Sequence, residues 1–367
     1  MKKYLTLLFA ALLAGCAAAP KTAQNALTVT GSYPLSYARE FTVDECAGGY
    51  NLLTIDGSRY LTVPAGAAVP DGLDADITVL QLPLQNIYLV STSAMDPIIR
   101  IGGLDAVALS GTQAEGWYLP EARAAMHNGE VAYAGRYSTP DYETILSAGC
   151  DLALENTMIY HTPKVKEQLE SCGIPVLVER SSYESDPLAR MEWVKLYGIL
   201  LDRRQQAEQL FDAAVQQIAP LAGQKSTGKT AAFFSITSNN LATVRKGNDY
   251  VAKMIELAGG QYVFSDLTDD GNNLATVNIS LEEFYAAAKD ADVLFYNSTI
   301  EGELHTLDEL VAKCPALAEC RAVQNRQVYC TAQSLFQQSM DLPALILDMH
   351  KVFASDGGDF TFLTQLQ

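Results

Sequence analysis

The sequence predicts an α/β protein in which two Rossmann-like lobes are joined by one long α-helix and preceded by a β-rich extension. Three observations support this fold class. Strand and helix patterns alternate from residue 86 onward, apolar residues recur at helical spacing between 187 and 218, and residues 27–85 contain only strand and turn signals. The chain of 367 residues is also longer than a single hydrophobic core usually organises.

The N-terminus resembles an export and lipidation signal. Two lysines precede an apolar run over 4–14, which is too short to span a bilayer because a span needs roughly 20 apolar residues. The run ends in Leu-Ala-Gly-Cys at Cys16, which resembles the lipobox of bacterial lipoproteins. We therefore expect a signal peptide over 1–15 and a lipid-anchored tether over 16–26, on the outer face of the cytoplasmic membrane or in the periplasm. A secreted protein with a chance cysteine is the alternative.

Residues 27–85 are predicted to form the β-rich extension of the first lobe. Strand patterns at 60–63 and 77–80 are separated by Gly, Pro and Asp turn signals. Residues 86–184 are predicted to form the N-terminal lobe, because strands and helices alternate as in parallel β-α-β units. Its predicted elements are strands at 87–90, 106–109, 151–154 and 175–178 and helices at 96–101, 120–126, 141–147 and 163–171.

Residues 185–221 are predicted to form the connecting helix. Ser-Asp-Pro at 185–187 supplies an N-cap followed by a proline in the first turn, and no further proline occurs until Pro220. A helix of about 32 residues would be roughly 48 Å long, which matches the long dimension of a two-lobed protein. Two shorter helices with a break near Asp202 are the alternative.

Residues 222–367 are predicted to form the C-terminal lobe, with strands at 231–236, 293–296 and 327–330 and helices at 249–257, 281–288, 307–313 and 342–353. The stretch 223–230 also fits the phosphate-binding expression G-x-x-x-x-G-K-[ST]. That motif works only between a preceding strand and a following helix, whereas here a helix precedes and a strand follows. We interpret it as the linker into this lobe.

The net charge of the chain disfavours some classes of partner. The net charge of −18 argues against nucleic acid and anionic lipid, because both need a basic surface.

Besides Cys16 the chain has six cysteines, an even number that permits disulfides in an exported protein: Cys46, Cys150, Cys172, Cys314, Cys320 and Cys330. Two of the last three are close enough in sequence to pair, and six buried thiols are equally compatible with the sequence.

Seven segments in order along 86–353 support a family resemblance: Tyr-Leu-Val-Ser-Thr-Ser at 88–93, Leu-Asp-Ala-Val-Ala-Leu-Ser-Gly at 104–111, Thr-Pro-Asp-Tyr-Glu-Thr-Ile-Leu at 139–146, Gly-Cys-Asp-Leu-Ala-Leu at 149–154, Gly-Ile-Pro-Val at 173–176, Ile-Glu-Leu-Ala-Gly-Gly at 255–260 and Asn-Arg-Gln-Val-Tyr at 325–329. Together they resemble the binding proteins that serve ABC importers of ferric siderophores, haem and cobalamin. The extension over 27–85 departs from the compact members of that family.

The resemblance implies a monomeric receptor with its ligand in the cleft between the lobes and little motion on binding. It also implies that one glutamate on each lobe meets arginines of the membrane permease dimer, which works with an ATPase. The matching residues are Glu143 and Glu282, with Glu283 a close rival of the second. An acidic side chain in the first turn of a helix is favoured by the helix dipole, so ordinary helix-start acids are the alternative.

Cleft residues are expected in the loops at strand ends, where open α/β sheets bind their ligands. Aromatic side chains there suit the faces of a planar or catecholate complex, and arginines suit its carboxylates. The candidates are Met95, Trp117, Tyr118, Arg136, Tyr137, Tyr160, His161, Arg180, Tyr183, Arg245, Tyr250, Ser298 and Phe336. Of these, Tyr160 and His161 are the neighbouring pair able to ligate haem or cobalt directly. No cluster of His, Asp and Glu indicates a bare metal site, and no cofactor other than the ligand is expected.

The predicted function is the extracytoplasmic substrate-binding component of an ABC importer, which captures an iron complex such as a ferric siderophore or haem. A cobalamin receptor of the same family is the first alternative. A surface lipoprotein hydrolase and a structural or adhesive surface protein are alternatives from other classes. No enzyme is expected, because the motifs G-x-S-x-G and H-E-x-x-H are both absent.

Overall fold

The computed structural model describes residues 27–268 and 275–367. The predicted signal peptide, tether and lipid-attachment residue Cys16 lie outside the described residues. Within them, no helix has both the length and the apolar character needed to cross a bilayer. The fold class is confirmed in its two α/β lobes, its β-rich extension and its helical linker, but the linker helix is not continuous.

The extension forms a sheet of its own and does not add strands to the sheet of a lobe. Its strands lie in chain order, and every neighbouring pair is antiparallel except the last, which is parallel. They are β1 (Val29–Ser32), β2 (Phe41–Cys46), β3 (Asn51–Ile55), β4 (Ser58–Val63) and β5 (Ile77–Gln81). Alternate residues such as Phe41 and Leu53 are buried, so one face packs inward. The Phe41 ring lies edge-on to that of Trp193 in the linker, with centroids 4.8 Å apart.

The N-terminal lobe contains β6 (Ile87–Leu89), α1 (Thr92–Arg100), β7 (Val107–Ser110), α2 (Pro120–His127), β8 (Ala132–Tyr133), β9 (Gly135–Arg136), β10 (Thr139–Pro140), α3 (Tyr142–Ser147), β11 (Leu152–Asn156), α4 (Pro163–Ser171) and β12 (Val176–Glu179). Its five-stranded sheet has the order β12-β11-β6-β7-β8, and all neighbouring strands are parallel. The strand order reverses between β6 and β11. A crevice is therefore expected beyond the carboxyl ends of these two strands.

The linker contains three helices, α5 (Pro187–Glu192), α6 (Val194–Leu200) and α7 (Arg204–Ile218). The prediction of one continuous helix is wrong, and the alternative of two helices is confirmed in its break near Asp202, although the first part is itself divided into α5 and α6. Asp202 has a φ of 55°, a left-handed conformation that ends a helix and that Asp tolerates better than most residues. Past this turn α7 packs back against α6, where a Cβ on Gly198 would lie 2.6 Å from that of Ala207. The apolar spacing is the same in both arrangements, which is why it did not distinguish them.

The C-terminal lobe contains β13 (Thr230–Ile236), β14 (Leu241–Arg245), α8 (Tyr250–Leu257), β15 (Gln261–Tyr262), β16 (Thr276–Ser280), α9 (Leu281–Ala288), β17 (Val293–Tyr296), α10 (Ser298–Glu301), α11 (Leu307–Lys313), α12 (Arg321–Gln324), β18 (Val328–Thr331), α13 (Leu342–Ala354) and β19 (Leu363–Gln365). Strands β13, β17 and β18 form a parallel centre flanked by antiparallel β14, β16 and β19. The stretch 223–230 leads into β13, as predicted for a linker, and no helix follows it directly.

The six described cysteines are all free thiols. Burial is the main reason that the pKa of Cys150 and the pKa of Cys320 are each raised to about 11. At neutral pH these two side chains are therefore protonated and behave as small apolar groups. The sequence was compatible with either disulfides or buried thiols, and in the structure the six cysteines are thiols.

Candidate functional site

A cavity with a volume of about 240 Å³ lies between the two lobes. It lies at the carboxyl ends of β6, β11 and β12, where the reversal of strand order predicts a crevice. The N-terminal lobe contributes one side, the linker contributes Arg190, and the C-terminal lobe closes the other side. The lining residues are Ser91, Thr92, Ser93, Asn156, Glu179, Ser182, Arg190, Arg245, Tyr250 and Phe336.

Glu179, the last residue of β12, is a buried carboxylate whose oxygens are already used. One oxygen accepts hydrogen bonds from the hydroxyls of Ser91 at 2.8 Å and Ser93 at 3.2 Å. The other accepts the Ser181 N–H at 2.7 Å. These bonds hold the loop after β6 against the end of β12. Glu179 thus shapes this side of the cavity rather than offering it a free negative charge.

The side formed by the C-terminal lobe is cationic and aromatic. The Arg245 guanidinium lies 5.0 Å from the centroid of the Phe336 ring and 5.7 Å from that of Tyr250. It forms an ion pair with Asp249 at 3.6 Å. Burial raises the pKa of Asp249, and the attraction of Arg245 opposes that effect. Aromatic faces around a guanidinium keep it oriented without consuming its hydrogen-bond donors.

Arg190 is the one charged residue, besides Glu179, among the seven lining residues that the sequence did not predict. It is 7% exposed and lies in α5, and its Nη1 has no hydrogen-bond partner among the described residues. Its guanidinium lies 4.9 Å from the centroid of the Tyr250 ring. The signal was available, because Arg190 is a charged residue inside a helix whose apolar pattern predicts burial. Ligand contacts were expected at strand ends and the adjoining starts of helices, whereas Arg190 lies inside a helix of the linker.

Several predicted ligand contacts do not line the cavity. Met95, Trp117 and Ser298 are fully buried, and Trp117 donates its indole N–H to the Ser110 hydroxyl at 3.2 Å. Arg136, Tyr160 and His161 are exposed and Tyr137 is half-buried, outside the cavity. Of the thirteen candidates, the cavity brings together Arg245, Tyr250 and Phe336.

Arg180 and Tyr183 hold the extension instead of facing the cavity. The Arg180 guanidinium forms ion pairs with Glu40 and Asp56 of the extension, each at 2.8 Å. It also lies 4.5 Å from the centroid of the Tyr183 ring. A guanidinium bound by two carboxylates has few donors left for a ligand. The turn between β3 and β4, which contains Asp56, therefore reaches the end of β12 beside the cavity.

Tyr118 lies in a seam of hydrogen bonds between the lobes, formed by residues 93–118 and 333–341. The Tyr118 N–H donates to the Gln337 side chain at 2.7 Å, and Gln337 donates back to the Gly116 carbonyl at 2.8 Å. Along the same seam the Met340 N–H donates to Asp96 at 2.8 Å. The seam restrains the lobes relative to each other, as the linker does.

The two proposed docking glutamates lie in the first turns of helices on different lobes. Glu143 begins α3 and Glu282 begins α9, and both are exposed. Glu283 is committed to a capping box, in which its carboxylate accepts the Ser280 N–H at 3.2 Å. Glu282 has no hydrogen bond or ion pair with another described residue. This difference favours Glu282 over its rival as a group available to a partner.

No group of three or more His, Cys, Asp or Glu side chains in the described part of the chain is arranged to hold a metal ion. The arrangement offers instead two guanidiniums, hydroxyls and two aromatic rings around a small space. Hydrogen-bond donors beside aromatic rings in a small space are typical of pockets for small molecules.

Two α/β lobes with a polar cavity between them define a bilobed ligand-binding protein. Residues 91–335 match the model of the family described as periplasmic binding protein, and the chain belongs to that family. Members of this family are extracytoplasmic substrate-binding components of ABC importers rather than enzymes.

The chain is similar to three further proteins in particular. An uncharacterized lipoprotein of Methanocaldococcus jannaschii is 24% identical over 292 residues, which cover 77% of this chain and 68% of that protein. The crystal structure of a periplasmic haem-binding protein from Pseudomonas aeruginosa superposes with a TM-score of 0.61 at 17% identity, covering 77% of this chain and 98% of the other. That of an ABC-type Fe3+-hydroxamate transport system from Saccharomonospora viridis superposes with a TM-score of 0.57 at 21% identity, covering 74% and 93%.

Proposed function

We propose that this protein captures an iron complex, a ferric siderophore or haem, in the cavity between its lobes and delivers it to an ABC permease. The observation that supports this proposal most directly is the cavity itself, in which Arg190, Arg245, Tyr250 and Phe336 surround a space reached from both lobes. Guanidiniums pair with carboxylates and ligand oxygens, while aromatic rings pack against the faces of a chelate. The names of the haem-binding and Fe3+-hydroxamate relatives point to the same class of ligand.

The size of the cavity favours a compact chelate. Its volume of about 240 Å³ lies just below the range of roughly 300–1,000 Å³ that is typical of pockets for drug-sized ligands. Of the proposed ligands, a small ferric siderophore is closer to this volume than haem, whose porphyrin plane would extend beyond the cavity. Cobalamin, the alternative ligand, is much larger and would leave most of its surface outside the cavity.

Delivery requires contact with the permease, and we assign it to Glu143 on one lobe and Glu282 on the other. Both carboxylates are exposed at helix starts, and neither is engaged by a described residue. An acyl chain on Cys16 would hold the protein beside its transporter. Incorporation of labelled fatty acid into the wild-type chain, and its loss in Cys16→Ser, tests the anchor.

The ligand is tested by thermal unfolding with haem, a ferric hydroxamate, a ferric catecholate and cobalamin, each beside its metal-free form. A ligand present at 100 times its dissociation constant stabilises the folded state by about 2.7 kcal/mol. We expect stabilisation by one of the iron complexes and a smaller effect of its metal-free form. Stabilisation by cobalamin alone would replace the ligand, and turnover of a hydrolase substrate without any stabilisation would overturn the proposed function.

A further inference from the structure

The extension is bound to the segment of the chain that supplies three of the cavity residues. Glu179, Ser182 and Arg190 line the cavity, and all three lie within 179–192, which runs from the end of β12 through α5. The matching part of the family model begins at residue 91, so the extension lies outside it. Its contacts with this segment are therefore additional to what the family model describes.

Two buried carboxylates of the segment accept five successive backbone N–H groups from the loop between β1 and β2. Glu192 accepts those of residues 36–38 at 2.9, 2.7 and 2.8 Å. Glu184 accepts those of Arg39 and Glu40 at 3.0 and 3.1 Å. A buried carboxylate is costly without donors, so the loop and the segment stabilise each other in these positions.

A third contact lies at the start of the segment. Arg180, directly after Glu179, forms ion pairs with Glu40 and Asp56 of the extension, each at 2.8 Å. The Arg180 side chain is 13% exposed, so water screens these ion pairs only in part. Asp56 lies in the tight turn between β3 and β4. The extension therefore holds the segment at both of its ends.

The residues that bind the extension alternate along the chain with residues that line the cavity. The former are Arg180, Glu184 and Glu192, and the latter are Glu179, Ser182 and Arg190. A displacement of the extension would therefore be passed to the lining residues through one or two peptide units.

We propose that the extension is a brace that fixes the positions of Ser182 and Arg190 in the cavity and so determines how tightly an iron complex is held there. This inference rests on the proposed function. A mobile segment loses conformational entropy when it orders around a ligand, and a segment that is already held loses less. Arg180 is then a positioning residue, which acts on the ligand through the lining residues beside it.

The test variant is Glu40→Gln combined with Asp56→Asn, called the brace variant. It removes both carboxylates that bind Arg180 and leaves every lining residue unchanged. Asp56 has a φ of 48°, and asparagine tolerates this left-handed conformation as well as aspartate does. Both carboxylates are partly exposed, so the variant should fold with nearly the stability of the wild type.

The matched control is Asp74→Asn combined with Asp76→Asn. These two carboxylates bind Arg59 at 2.9 and 2.8 Å, so the control also deprives one arginine of two partners. All three of its residues lie within the extension, and none contacts the segment 179–192 through an ion pair. A general loosening of the extension would affect the control as much as the brace variant.

Two measurements on the full chain are compared for each protein. Hydrogen exchange of the ligand-free protein reports the mobility of residues 181–191. Calorimetric titration gives the dissociation constants of a ferric trihydroxamate, a ferric tricatecholate and haem. We expect faster exchange over 181–191 in the brace variant, and about 3- to 10-fold weaker binding of the complex that the wild type binds. The control should match the wild type in both measurements.

A double-mutant cycle separates positioning from a general effect on the fold. Arg180→Gln should weaken binding about as much as the brace variant, and the two changes combined should weaken it no further, because they remove the same contact. Additive losses of affinity would contradict Arg180 as the residue through which the brace acts.

The outcomes separate the brace from the proposed function. Unchanged exchange over 181–191 in the brace variant overturns the brace, and so does faster exchange with unchanged affinity. Equal loss of affinity in the control also overturns it. If the wild type binds none of the three iron complexes, the iron receptor is contradicted, while faster exchange confined to the brace variant still supports the brace.

Discussion

At the scale of single residues, Glu155 in β11 has no hydrogen-bond partner for either carboxylate oxygen among the described residues. It is fully buried, and side chains two apart in a strand share a face, so it lies on the face of Ala153 in the smaller apolar core. Burial raises the pKa of Glu155 to about 8. The side chain is therefore mostly protonated at neutral pH in the folded protein and ionised in the unfolded chain.

Because the pKa of Glu155 is raised on folding, the direction in which its contribution to stability changes with pH is determined. The folded state binds this proton more tightly, so the contribution of Glu155 is most favourable below its ordinary pKa of 4.5 and is lost as the pH rises through about 8. We predict that Glu155→Met raises the free energy of unfolding by about 1–3 kcal/mol at alkaline pH and less at acidic pH. Urea unfolding at two pH values measures the change.

Glu179→Gln is the control for this prediction, because its buried carboxylate is fully hydrogen-bonded and its loss should destabilise the fold. A lower stability of Glu155→Met at alkaline pH would show that Glu155 has a partner in solution.

The two arginines of the cavity show how far residue-level prediction reached. Arg245 and Tyr250 were found because they lie beyond the predicted strand at 231–236, before or at the start of the next predicted helix, where ligand contacts are expected. Arg190 was missed because it lies within a helix. Arg180 was expected to contact the ligand because the sequence does not show that the extension brings Glu40 and Asp56 to it. Sequence spacing carries no information on such distant contacts.

At the scale of elements, the extension is bound to the linker by two buried carboxylates. Glu192 accepts the N–H groups of Ser36, Tyr37 and Ala38 at 2.9, 2.7 and 2.8 Å and the ammonium of Lys195 at 2.7 Å. Burial acts to raise the pKa of Glu192, but these hydrogen bonds outweigh it, and the pKa is lowered. Glu184, just before the linker, also accepts the N–H of Arg39 at 3.0 Å, but there burial prevails and the pKa is raised.

We predict that Glu192→Gln lowers the free energy of unfolding by about 3 kcal/mol, because Lys195 is left buried without its counter-charge. Since the pKa is lowered, the stabilising effect of Glu192 is present above its ordinary pKa and is lost as the pH falls through the lowered value. Hydrogen exchange at residues 36–38 is the direct measurement. Unchanged protection there would mean that the extension is held by other contacts.

The break in the linker provides a second test at this scale. In the folded hairpin, a methyl group on Gly198 would contact that of Ala207, and Ala207→Gly would relieve it. We predict that Gly198→Ala is destabilising and that the double variant recovers part of the loss, with a coupling energy of about 0.5–3 kcal/mol. In a single continuous helix the two residues would be roughly 13 Å apart, and their effects would simply add.

The prediction of helices and strands succeeded where the local sequence pattern determines the structure, and it failed where tertiary packing determines it. The parallel strands and their helices lie within a few residues of the predicted bounds, as for α4, α9 and β17. Strands β14, β16 and β19 were not predicted, because they lie toward the edges of the sheet and show less apolar character. The turn at Asp202 was left as an alternative because helical periodicity continues on both sides of it.

At the scale of the whole molecule, the proposed docking to a permease uses one carboxylate on each lobe. We predict that Glu143→Lys and Glu282→Lys each reduce ligand-stimulated ATP hydrolysis by the reconstituted importer several-fold, because a salt bridge becomes a like-charge contact. Ligand affinity should be unchanged, since both residues lie outside the cavity.

Glu283→Gln is the matched control, because the amide retains an acceptor for the capping box of α9. If it impairs ATP hydrolysis as strongly as Glu282→Lys, the docking residue on this lobe is Glu283.

The central claim is that an iron complex binds between the lobes, in contact with Arg190 and Arg245. Anomalous diffraction at the iron absorption edge, from crystals grown with the complex that stabilises the protein, tests it most directly. We predict one iron peak at the mouth of or within the cavity formed by Ser91, Glu179, Arg190, Arg245 and Phe336. An iron peak on the outer surface of either lobe, with the cavity filled by water, would contradict the account.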